Sequence, residues 1–75
     1  MDIETDIRDL AEKAGLETRR DGDAIHITRD DEEIARVYAD SYDSRHYCLC
    51  TANEAQIGLH YDECLRQCSR VFGIE

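Results

Sequence analysis

The chain has 75 residues, 18 of them acidic and nine basic, and its net charge is −9. This length predicts a single domain over residues 1–75, and the negative charge argues against direct binding to nucleic acid or to anionic membranes. The first residues are acidic where a signal peptide is basic, and no apolar run approaches the roughly 20 residues of a membrane span. We therefore expect an intracellular, cytoplasmic protein whose four cysteines are reduced thiols.

The N-terminal segment has the pattern of an amphipathic helix. Apolar residues recur along one helical face at Ile3, Ile7, Leu10 and Ala14. Lys13 is a cation in the last turn, and Gly15 precedes an apolar residue, Leu16, that can pack back on that turn. This combination is typical of a helix end. The pattern predicts a helix over residues 3–14.

The middle of the chain predicts strands. The dipeptide Asp21-Gly22 is a strong hairpin signal, residues 30–33 read as a polar turn, and residues 40–45 read as a connection. Short segments rich in β-branched and aromatic residues flank these turns and are predicted as strands: residues 16–20, 23–29, 34–39 and 46–50.

The C-terminal segment predicts a second helix. Thr51 and Glu54 have the spacing of a capping box, and Gly73 is placed to end the helix. One stripe of this helix would carry Ile57, Tyr61, Cys64, Leu65, Cys68 and Phe72. Gly58 lies inside it at a cost of about 1 kcal/mol relative to alanine, for which the sequence offers no reason. The predicted fold class is α+β, in the order α-β-β-β-β-α, with an antiparallel sheet and both helices packed on one face.

Two rows of potential metal ligands are present in the chain. His46, Cys48 and Cys50 share one face of a predicted strand, and His60, Cys64 and Cys68 share one side of the predicted helix. The two rows could meet in a tetrahedral zinc site, although structural zinc sites usually take ligand pairs from loops. Cys64 and Cys68 also lie in the apolar stripe, where a free cysteine packs as a small hydrophobe. We therefore predict no metal and no cofactor, and keep a zinc-binding or redox-linked cysteine domain as the alternative.

No motif in the chain indicates catalysis. The four glycines are scattered singly, and neither a P-loop nor a His-Glu-x-x-His motif is present. A cysteine–histidine nucleophile would need a lowered thiol pKa, which the surrounding acids oppose. A pocket of about 300 Å³ or more is also difficult to enclose with so few residues. We predict that the protein is not an enzyme.

The acids cluster in the predicted connections between strands. One group is the turn Asp30, Asp31, Glu32 and Glu33, and a second is Asp40 and Asp43. Tyrosine is enriched at binding hot spots, and three tyrosines are near the second group: Tyr38, Tyr42 and Tyr47. One interpretation is that these acids form a solvated surface with no binding role. The functional interpretation is that they bind a basic protein.

The partner of such a surface is predicted to be a protein that handles nucleic acid. Carboxylates about 6 Å apart along a strand or helix have a spacing similar to that of neighbouring phosphates, so the domain could mimic nucleic acid. In size and charge the chain resembles small phage-encoded inhibitors such as anti-CRISPR proteins, although no motif supports this likeness. We predict a non-enzymatic binding module or inhibitor, whose oligomeric state the sequence leaves open.

Overall fold

The computed structural model describes residues 3–39 and 45–74. The elements in chain order are α1 (Ile3–Lys13), β1 (Glu17–Asp21), β2 (Ala24–Arg29), β3 (Glu32–Ala39), β4 (Tyr47–Cys50), β5 (Ala55–Leu59) and α2 (Tyr61–Phe72). The predicted α+β class, the antiparallel sheet and the flanking helices are confirmed, but the sheet has five strands rather than four. None of the described helices is long and apolar enough to cross a membrane.

The five strands form an antiparallel meander in the order β1-β2-β3-β4-β5. Asp21 pairs with Ala24, so the first hairpin turns at Gly22 and Asp23 rather than at Asp21 and Gly22 as predicted. Gly22 has a φ of +60°, which a glycine adopts without the steric cost of a Cβ. The hairpin itself was therefore predicted correctly, with its turn displaced by one residue.

Both helices pack on one face of the sheet, as predicted. Ile25, Val37 and Leu49 lie opposite one another across β2, β3 and β4 and are buried under the helices. The helices contribute a further set of buried side chains to this core: Ile3, Ile7, Ala11, Cys64, Cys68 and Phe72. Below, the opposite side of the sheet, which neither helix covers, is called the open face.

The predicted start of the second helix is wrong, because residues 51–54 form the β4–β5 turn. The Thr51 hydroxyl accepts hydrogen bonds from the backbone N–H groups of Asn53 (3.3 Å) and Glu54 (3.2 Å). A threonine makes similar bonds at a helix N-cap, so this local pattern does not distinguish a helix start from a turn. The Glu54 carboxylate lies 3.5 Å from Arg70 in an ion pair.

Gly58, unexplained in the sequence, lies at a β-bulge. Leu49 pairs with Gln56 and Tyr47 with Leu59, so Ile57 and Gly58 together face Cys48 of β4. Gly58 has a φ of +68°, a conformation that other residues adopt only with strain. Ile57 is not a core residue as predicted, since its side chain is 75% exposed. The predicted end of the last helix is confirmed, with Gly73 in the left-handed conformation.

Candidate protein-binding surface

The β2–β3 hairpin presents an acidic tip. Asp30 and Asp31 have φ angles of +52° and +67°, as in a type I′ turn, whose central residues both require positive φ. Aspartate tolerates this conformation better than most residues other than glycine. Arg29 pairs with Glu32 across the turn, so Glu32 begins β3 instead of belonging to the turn as predicted. Asp30, Asp31 and Glu32 are exposed and form no ion pair with any residue in the described ranges.

Glu33, the fourth predicted acid, is compensated by basic neighbours. Its carboxylate accepts a hydrogen bond from His26 Nδ1 and another from Arg36 Nη2 at 3.2 Å. The hydrogen bond from His26 and, to a smaller extent, the one from Arg36 hold the pKa of the Glu33 carboxyl below its usual value. Glu33 therefore belongs to a local network on the open face and adds less free negative charge to the surface than the three acids at the tip.

A second β-bulge explains how this network forms. Thr28 pairs with Glu33 and Ile27 with Ala35, which leaves Ile34 as the extra residue in β3. Residues three apart on a regular strand point to opposite faces. The bulge removes this alternation, so Glu33 and Arg36 both lie on the open face.

The second predicted acidic group falls in the connection that follows β3 in the chain. Asp40, Tyr42 and Asp43 lie outside the described residues. The chain leaves β3 at Ala39, seven residues beyond Glu32 at the acidic tip, which at the rise of a strand is roughly 23 Å. The acidic tip and Ala39, after which this connection begins, therefore lie at opposite ends of β3.

The two described tyrosines of the predicted site lie on different faces of the sheet. Tyr38 is half-buried on the open face, where its hydroxyl is 3.5 Å from Cys50 Sγ, and this hydrogen bond raises the pKa of Tyr38. Tyr47 is half-buried against the core and packs edge-to-face on Tyr61, with 6.2 Å between ring centroids. The Tyr61 hydroxyl donates a hydrogen bond to Asp6. Neither Tyr38 nor Tyr47 is adjacent to the acidic tip.

Other acids are neutralised by arginines. Glu4 pairs with Arg8 and with Arg20, each at 2.6 Å, and Glu54 pairs with Arg70. Because these arginines are paired with Glu4 and Glu54, they do not compensate acids elsewhere on the surface. At the acidic tip, by contrast, Asp30, Asp31 and Glu32 occur together and form no ion pair with a described residue.

A shallow groove of about 580 Å³ adjoins the acidic tip. It is lined by Arg29, Glu32 and Ile34 from the hairpin, by residues 51–54, and by the end of α2 at Arg70 and Val71. Ile34 and Val71 are partly buried and pack against the core. The groove thus combines apolar walls with charged side chains, and sequence reasoning missed it because its parts come from three separate segments.

The six alternative metal ligands do not converge. Cys48 and Cys50 lie on the open face, whereas Cys64 and Cys68 are fully buried in the core between α2 and the sheet. His46 and His60 contact each other, with ring centroids 4.6 Å apart. Within residues 3–39 and 45–74, no three histidine, cysteine or acidic side chains are arranged to hold a metal ion.

Cys64 and Cys68 are core residues, as the apolar stripe predicted. Both side chains have no solvent exposure. A hydrogen bond with Cys64, together with burial, raises the pKa of the Cys68 thiol. A neutral buried thiol packs as a small apolar group and is a poor nucleophile.

Comparison with known proteins adds no assignment. No protein-family model matches the chain, and the searches of curated proteins and of solved structures found no match either.

Proposed function

We propose that this domain is a non-enzymatic binding module or inhibitor that engages a basic, nucleic-acid-handling protein through the acidic tip. The observation that carries the proposal is the tip itself, where Asp30, Asp31 and Glu32 are exposed and unpaired within the described residues. Connections carried by a rigid scaffold are common positions for binding residues. Mimicry of nucleic acid is the form of binding that this chemistry favours.

Two features of the tip support this proposal. The short turn fixes the backbone, so little conformational entropy is lost when the three carboxylates meet a partner. The neighbouring groove offers apolar walls at Ile34 and Val71 for an anchoring side chain of the partner, and hot spots are commonly found in such pockets. Charge would then speed association, while the groove would slow dissociation.

The experiment compares two variants that lose the same three charges. In the tip variant, Asp30→Asn, Asp31→Asn and Glu32→Gln are combined. In the control variant, the exposed acids Asp9, Glu12 and Asp23 are changed in the same way. Each protein is immobilised, exposed to a lysate of the source cells, and the captured proteins are quantified by mass spectrometry.

We expect the wild-type protein and the control variant to capture the same basic protein. The tip variant should capture at least tenfold less of it, which corresponds to about 1.4 kcal/mol of binding free energy. Added duplex DNA should compete for the captured protein if the tip occupies a nucleic-acid site. Equal losses for the tip and control variants would show that overall charge, rather than the tip, governs binding. Capture that resists both the tip substitutions and added DNA would contradict the proposal.

A further inference from the structure

One contiguous part of the sheet is almost free of charge. The chain has 27 charged residues, yet residues 46–61 contain one, Glu54. This segment includes β4 and β5, and β5 contains no charged residue at all. Interface centres are similarly depleted of charged residues.

β5 is also an edge of the sheet in the described part of the chain. An edge strand exposes unpaired backbone N–H and C=O groups, which proteins usually protect with charged side chains. The other edge, β1, has this protection, since four of its five residues are charged: Glu17, Arg19, Arg20 and Asp21. β5 has no such charges, so its side chains do not oppose strand addition as those of β1 do.

The side chains of β5 add an apolar contact to this edge. Gln56 is oriented toward the helices by its hydrogen bond to Gln67 of α2 (3.5 Å). Strand alternation therefore directs Ile57 to the open face, beside Cys48. Among the described residues, Ile57 is the one large hydrophobic side chain that is exposed.

We propose that β5 pairs antiparallel with β5 of a second copy of this chain, so that two five-stranded sheets join across a two-fold axis. Pairing centred on Ile57 places the two Ile57 side chains opposite each other on the open face. No charged residue faces another in this register. A cross-strand pair of β-branched side chains is a favourable contact.

The absence of charge on β5 fits a second copy of the chain as the occupant. Two copies each carry a net charge of −9 and repel each other wherever their acids meet. The uncharged edge is where the backbones can approach without opposing charges. Self-pairing of β1 about Arg19 would instead place Arg19 opposite Arg19 and Glu17 opposite Asp21, which is unfavourable. A basic partner would gain more from the acidic tip than from this edge.

The same arrangement limits assembly to a dimer. Joining β5 to β5 leaves a charged β1 at each outer edge of the combined sheet. Pairing between β5 of one copy and β1 of the next would create an open-ended filament, and the charges of β1 oppose it.

Sedimentation equilibrium of the full chain tests the proposal with two variants of matched charge. Ile57→Glu adds an acid to β5, and Thr5→Glu adds the same charge at an exposed position of α1. We expect the wild-type protein and Thr5→Glu to dimerise with dissociation constants within about threefold, and Ile57→Glu to be at least about tenfold weaker. A wild-type chain that remains monomeric up to about 1 mM, or two variants with equal effects, would overturn the proposal.

Hydrogen exchange of the wild-type protein gives a second readout that needs no substitution. Backbone amides of β5 should exchange more slowly at high protein concentration than at low concentration, because pairing protects them. Amides of β1 should exchange at the same rate under both conditions. Dimerisation that leaves β5 exchange unchanged would place the interface elsewhere and contradict the proposal.

Discussion

The two edge strands of this sheet have the same backbone chemistry but opposite side chains. β1 is charged at four of five positions and buries none of its residues, with Thr18 half-buried. β5 is uncharged, buries Leu59 and exposes Ile57. The comparison shows that side chains, rather than the backbone, decide whether an edge is available for further pairing.

This contrast extends into the strands beside each edge. On the open face, β2 and β3 carry the network of His26, Glu33 and Arg36, whereas β3 and β4 carry Tyr38 and Cys50 nearer to β5. The open face therefore carries charged side chains on the side nearer β1, and tyrosine and thiol groups on the side nearer β5. Our two proposals assign different partners to them: a basic protein to the acidic tip and a second copy to the β5 edge.

The largest expected difference between the edges is in stability. Leu59→Ala should lower the free energy of unfolding by about 2–5 kcal/mol, because it removes a buried side chain and leaves a cavity. Thr18→Ala should cost less than about 1 kcal/mol, since Thr18 is half-buried on a strand whose other residues are exposed. Urea denaturation of the two variants, followed by circular dichroism, measures both values. Equal losses would show that β1 contributes as much to the core as β5 does.

A smaller difference is expected in how the stability of the protein depends on pH, and it should arise from the charged network on the open face. The pKa of Glu33 is lowered from 4.5 by the hydrogen bond from His26 and by Arg36. Its contribution to stability is therefore fully present above about pH 4.5 and is lost as the pH falls through the lower folded-state pKa. Glu33→Gln should thus lower the urea midpoint at pH 7 and differ less from wild type near pH 3.

Glu32→Gln is the matched control for this pH measurement. Glu32 is the neighbouring acid, is exposed, and forms no ion pair with the described residues. We expect its urea midpoint to follow that of the wild-type protein at both pH values. A deficit in Glu33→Gln that persists undiminished at pH 3, or an equal deficit in Glu32→Gln, would contradict the assigned network.

Much of the fold was predictable from the sequence because its signals were local. The stripe of apolar residues in α1 indicates a helix, and the glycine of the first turn indicates a hairpin. Thr51 and Glu54 do not indicate a single structure, because the same side-chain hydrogen bonds occur in a turn and at a helix start. Gly58 was the available clue to β5, since a glycine is costly within a helix but suits a bulge.

The candidate surface was less predictable because it depends on strand register. Asp30 and Asp31 were identified as a turn from composition alone. The compensation of Glu33 requires the bulge at Ile34, which changes the face on which Glu33 lies, and no sequence pattern indicates it. The low charge of residues 46–61 could be read directly from the sequence, but its position at a sheet edge could not.

The dependence of self-association on salt tests the division between charged and uncharged surfaces most directly. Raising NaCl from 0.1 to 1 M shortens the Debye length from about 10 Å to about 3 Å and so screens the repulsion between two acidic chains. Sedimentation equilibrium of the wild-type protein should therefore show tighter dimerisation at the higher salt concentration. Dimerisation that weakens with salt would mean that charged groups attract each other across the interface, and would contradict pairing through an uncharged edge.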